Sequence, residues 1–196
     1  MLDLRAGLRL LLIALALLIS LLVSSCKLGN STLDEANQIN QSASADINEI
    51  EKIVQENKGK EIEVTRALDR EDYETARKQM NDVISAIDRG LERGESAAEK
   101  FDHASKLDID PTIKEYLSYR AQSVNKAIEA FKELRKGIVA FRDATGSKDK
   151  AVTEKAKTDV QQASQSFDSL ISEAQRLEGK ADDIARRSPD KIKPGK

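Results

Sequence analysis

The sequence has a single cysteine, a single histidine, no tryptophan and only three prolines. One cysteine excludes an internal disulfide, so packing has to supply stability. The histidine, His103, has no paired Glu-x-x-His motif around it, which removes the di-metal carboxylate chemistry of some helical bundles. It reads as a surface or seam-edge residue. No serine can be matched to a base in a defined pocket, and no glycine-rich phosphate loop occurs. An enzyme is not expected, and neither is a metal or other cofactor. With 32 basic against 34 acidic residues the chain has no electrostatic case for binding nucleic acid. Proline, glycine, β-branched and aromatic residues are all sparse, and Ala, Glu, Lys, Leu, Arg and Asp dominate. That composition favours helix.

What is present begins with an apolar run, Leu10 to Val23, preceded by Arg5 and Arg9 and followed by Ser24-Ser25-Cys26. As a helix its 14 residues would span about 21 Å, short of a hydrocarbon core of ~30 Å. A charged start, an apolar middle and small residues at the end fit a signal peptide better than a membrane span. The Val23-Ser24-Ser25-Cys26 end resembles the lipobox of bacterial lipoproteins. The resemblance covers residues 1–26 only. It implies that residues 1–25 are removed, and that Cys26 is acylated and becomes the first residue of a chain held in the cell envelope by two or three acyl chains. Lys27 in place of aspartate implies the outer membrane where such proteins are sorted by that residue. Residues 26–31 then form a short tether.

Residues 32–187 carry four long stretches of apolar side chains at alternating three- and four-residue spacing, the signature of one helical stripe each. The first starts at a capping box, Thr32-Leu33-Asp34-Glu35, and follows Leu33, Ala36, Asn40, Ala43, Ile47, Ile50 and Val54. It continues through Ile62, Val64 and Leu68, with a bend expected at Asn57–Lys60. The second runs from Tyr73 to near Leu107. Asp110-Pro111 opens the third, with Asp as cap and Pro in the first turn. Gly146 stops it, and Ser147 reads as the cap of the fourth. Four segments of ~34 to ~40 residues joined by short loops predict an all-α fold. The arrangement expected is an antiparallel up-down-up-down four-helix bundle with long coiled-coil-like helices. Residues 188–196, with Pro189, Pro194 and several lysines, read as a basic disordered tail.

Two polar residues interrupt the stripes, Asn40 and Arg120. Counting from the turns sets them about one turn apart and brings Glu173 nearest to Arg120. A polar core layer of Asn40, Arg120 and Glu173 is one reading; the other lays the Arg120 stem on the seam with its charge in water. Gly90 and Gly94 interrupt the second helix at a cost of ~1 kcal/mol each against alanine. They either make room for Phe167 or open a mid-bundle pocket for a small apolar ligand. The function expected is therefore non-catalytic. It is a membrane-anchored envelope module, partnered by lipid through acylated Cys26 and by another envelope protein at its coiled-coil-like face or distal turns. The alternative is an extracytoplasmic small-molecule binding or sensor bundle, which resembles in outline the helical sensor domains of bacterial receptors.

Overall fold

A computed structural model describes residues 31–192 of the chain. The leader, Cys26 and residues 193–196 lie outside the described residues. The helices are α1 (Ser31–Glu56), α2 (Lys60–Asp69), α3 (Tyr73–Lys106), α4 (Pro111–Ala144) and α5 (Lys150–Arg187). Among the described residues there is no strand. With α1 and α2 sharing the first of the four stretches, the protein is all-α with four long helical segments.

The ends of these helices are set by short polar side chains. The Asp72 carboxylate accepts the Thr75 amide at 3.1 Å, and Asp110 accepts the Thr112 amide at 2.8 Å just ahead of Pro111. The cap of α5 is Asp149, which accepts the Ala151 amide at 2.8 Å. This corrects the expectation of Ser147, whose hydroxyl instead accepts the Asp149 amide within the loop. A carboxylate both caps and meets the positive end of the helix dipole, which a hydroxyl does not.

The expected bend in the first stretch is a full break. Gly59 takes φ 98 and separates α1 from α2, with the Asn57 side-chain amide donating to the Ile53 carbonyl at 2.8 Å. The break rotates the following turn, so Val64, Ala67 and Leu68 face the core while Ile62 is 50% exposed, against its expected place in the stripe. The α2–α3 turn is a Schellman closure: the Asp72 amide donates to the Ala67 carbonyl and the Glu71 amide to Leu68. Glu71 stands at the left-handed position, φ 58, where glycine is usual. At the α4–α5 turn that position is filled by Gly146, φ 77, and a Cβ there would lie 3.0 Å from the Tyr73 ring.

Paired side chains tie α3 to α4 and α4 to α5 along their lengths. Between α3 and α4, Asn81 meets Arg142, Asp88 meets Arg135 and Glu95 meets Lys132. Between α4 and α5, Tyr119 meets Lys180, Ser123 meets Ala174 and Phe131 meets Phe167. α1 packs closely only on α3, where buried Asp46 takes Lys100 at 2.5 Å and Ser96 at 2.8 Å. Two apolar clusters result. One gathers Met80, Leu134, Phe141 and Phe167 toward the Tyr73–Gly146 end; the other gathers Ile47, Phe101, Tyr116 and Ile184 toward the opposite end.

The expected disordered tail is also corrected over its first residues. Ser188–Ile192 turn back on the helix end, with the Ile192 amide donating to the Ser188 carbonyl at 2.8 Å. The Ile192 side chain is fully buried, and the Lys191 ammonium donates to Asp110 at 2.8 Å. Both contacts draw the segment out of solvent. That pair and the Thr112 amide pull the Asp110 carboxyl down to about 2.

The two left-handed turn positions predict opposite mutational signs. Glu71→Gly should raise unfolding free energy by ~1 kcal/mol, and Gly146→Ala should lower it by at least ~1 kcal/mol, in urea titrations of either variant.

Candidate functional site

Two features of the interior stand apart from ordinary helix packing. The first is a buried ion pair. Arg120 and Glu178 are 2% and 1% exposed, and Nη1 lies 2.9 Å from Oε1 in a contact that lacks hydrogen-bond alignment. The guanidinium carbon sits 5.1 Å from the Phe101 ring centroid and 6.0 Å from that of Tyr116. Those aromatic faces offset part of the lost hydration of the cation. Burial pushes the Glu178 carboxyl above its ordinary value; Arg120 opposes this, Asp182 adds to it and Ser123 weakly opposes it. The Ser123 hydroxyl donates to the Ala174 carbonyl at 2.9 Å.

Of the three residues expected in a polar layer, Asn40 and Arg120 are buried and Glu173 is not. Asn40 is 3% exposed and Arg120 is buried, so the reading that took the Arg120 charge to water fails. Glu173 is not the partner. Its side chain is 42% exposed and pairs with Lys126 at 3.6 Å. α5 sits further along α4 than counting from the turn places it: Arg120 meets Glu178, Ser123 meets Ala174 and Phe131 meets Phe167. Nothing in the periodicity marked Glu178, because it sits beside Leu177 on the stripe rather than in it. Asp46, buried next to Ile47, escaped for the same reason.

The second feature is a cavity of about 100 Å³ at the waist between the two apolar clusters. α1, α3 and α4 supply nearly all of its wall, α5 only Ala174, and it is partly open to solvent. Around it α1 packs mainly on α3. Gly90 lines it with nothing within 4 Å of where a Cβ would be. Gly94 differs: a Cβ there would meet Ile128 Cγ1 at 3.1 Å, so this glycine permits close packing. Neither makes room for Phe167. That ring is buried beyond the cavity, edge-on to Phe131 with centroids 5.8 Å apart, and it is Phe131 that reaches the cavity wall.

His103 is exposed, and among the described residues no cluster of His, Cys, Asp or Glu could hold a metal ion. Among the same residues no helix is long and apolar enough to cross a membrane. No family model, no curated protein and no solved structure matches the chain.

Removing one member of a buried pair strands the other, whereas removing both leaves an apolar contact. Glu178→Leu alone should cost ~3 kcal/mol or more, and Arg120→Leu with Glu178→Leu should recover most of that loss, both read from urea unfolding. A carboxyl whose folded-state pKa is raised binds more protons in the native state. Its contribution to stability thus falls as pH rises from the ordinary carboxylate value through the folded one. Glu178→Gln should remove that part of the pH slope.

Proposed function

We propose that this chain is a lipid-anchored protein of the bacterial cell envelope whose folded part is a non-catalytic interaction module. In this reading Cys26 carries the acyl chains and residues 1–25 are removed. The helices form an up-down-up-down four-helix bundle. The observation that carries the reading is which ends share a cluster. Leu33, Ile109 and Ile192 pack in the same apolar group, so the start of α1, the α3–α4 loop and the C-terminal turn share one end. α1 is already helical at Ser31, within five residues of Cys26, a distance of at most ~18 Å. An anchor at Cys26 would therefore hold that end beside the lipid. The Tyr73–Gly146 turns would stand ~50 Å away along helices of 34 residues. There the module would meet another envelope protein.

A second reading is supported by the waist cavity. A bundle that acts only as a spacer gains nothing from an opening in its core, whereas a small-molecule binder needs one. The module would then bind or sense an apolar compound on the outer side of the cytoplasmic membrane.

Mass spectrometry of the protein purified from cells tests the anchor. The expected product begins at an acylated Cys26, and Cys26→Ser retains the leader. An intact leader or an unmodified first residue in the native protein would overturn the reading.

A further inference from the structure

α1 is held to the bundle by different means from its neighbours. The side chains it buries include Asn37, Asn40 and Asp46, and only Ile47 and Ile53 among them are large and apolar. α4, by contrast, buries Ile113, Tyr116, Leu117, Leu134, Ile138 and Phe141. Apolar area removed from water sets how firmly one helix holds another, so α1 is held more weakly than α4. Asn40 Oδ1 and Ser44 Oγ are buried with no hydrogen-bond partner, and both regain water when α1 leaves. Ile50, Ile53 and Val54 border the waist cavity, so the C-terminal half of α1 forgoes packing on that side.

The ties on the two sides of the α1–α2 break are unequal. After it, the Lys60 ammonium is held by Gln79 at 2.9 Å and Asp82 at 3.6 Å, and Val64, Ala67 and Leu68 are buried. α2 is thus pinned to α3 from its first residue. Before it, the polar tie to α3 is Asp46, with Ser96 at 2.8 Å and Lys100 at 2.5 Å. Gly59 stands between the two, at φ 98 and with open space where a Cβ would be. A glycine there can change backbone region without a steric barrier.

We propose that α1 is a detachable arm: Ser31–Glu56 leaves α3 as one unit, pivoting at Asn57–Gly59, while α2–α5 stay folded. Asp46 is the clasp. Release bares Ala43 and Ile47, now buried in the second apolar cluster, and opens the waist cavity along its α1 wall. With Cys26 anchored, α1 would be the link between lipid and body, and its release would let the body turn on Gly59. The arm itself goes beyond both readings above and requires neither an acyl group at Cys26 nor a ligand in the cavity.

Hydrogen exchange of the full chain in detergent, mapped by mass spectrometry through rising sub-denaturing urea, tests the arm. Peptides of Ser31–Glu56 should exchange together, at least ~100-fold faster than those of α4 and α5. The step should fall at Asn57–Lys60, with α2 exchanging alongside the body. A bridge between α1 and α3 should stop the motion. Asp46 and Ser96 touch, so Asp46→Cys with Ser96→Cys brings two sulfurs within bonding reach. Oxidising that pair should slow α1 exchange by about tenfold or more, and reduction should restore it. Lys100→Met loosens the clasp and serves if the cysteine pair loses its helical dichroism: α1 exchange should rise severalfold while α4 and α5 stay unchanged. α1 exchanging at the rate of α4 and α5 would overturn the arm. So would a graded rise toward Ser31 without a step, which is end fraying, or an oxidised pair with α1 exchange unchanged. α2 exchanging together with α1 would overturn the pivot at Gly59.

Discussion

The ion pair between Arg120 and Glu178 constrains the molecule more than any other contact, because it tolerates one register of α4 against α5. Sliding α5 by a turn would set Ala174 or Ala181 opposite Arg120 and leave two charges buried and alone. Such a state costs several kcal/mol. The same register carries the Ser123 hydroxyl to the Ala174 carbonyl and the Phe131 ring to the edge of Phe167. Neither of those contacts is strong enough to specify the alignment alone. A stripe of alanines and leucines at heptad spacing accepts several registers, and a charge that must find its counter-charge accepts few. The pair adds little net stability, since the desolvation of both groups offsets their attraction. What it supplies is alignment.

The looseness of the structure lies on the other side. α1 has no comparable tie to α4 or α5. Its polar anchor, Asp46 with Ser96 and Lys100, points to α3 alone. With α1 hinged off by Gly59 and α3 carrying Gly90 at the facing position, the core thins between its two apolar clusters and a cavity remains. A protein under selection for stability alone would close it, because empty apolar space forfeits dispersion contacts. Rigidity in α3–α4–α5 and an opening beside α1 thus arise from one sequence, the first from a buried charge and the second from missing side chains.

Helix positions were legible because the stripes are strict. Asp110 caps where the sequence placed it, and the helices that follow the two turns begin at Tyr73 and Pro111. Relative height was not legible, because it depends on how many residues a loop spends before the next helix closes its first turn. Glu178, five residues beyond Glu173, stands opposite Arg120, and Phe167 meets Phe131 rather than Gly90. The exposed side chain of Ile62 has a similar origin, since the left-handed backbone at Gly59 resets the helical phase. Ile192 was hidden by composition: among prolines and lysines, one isoleucine reads as solvent-exposed chain, and only tertiary contact reveals it as an anchor. The lipobox-like end at Cys26 is a sequence signal, and the mass of the native first residue decides it.

Nuclear Overhauser contacts across the α4–α5 interface measure the register itself. The account predicts cross-peaks between the Phe131 and Phe167 rings, together with contacts from the Arg120 side chain to the Phe101 ring and to Glu178. Contacts from Arg120 to Glu173, or Arg120 side-chain protons that exchange freely with water, would contradict it.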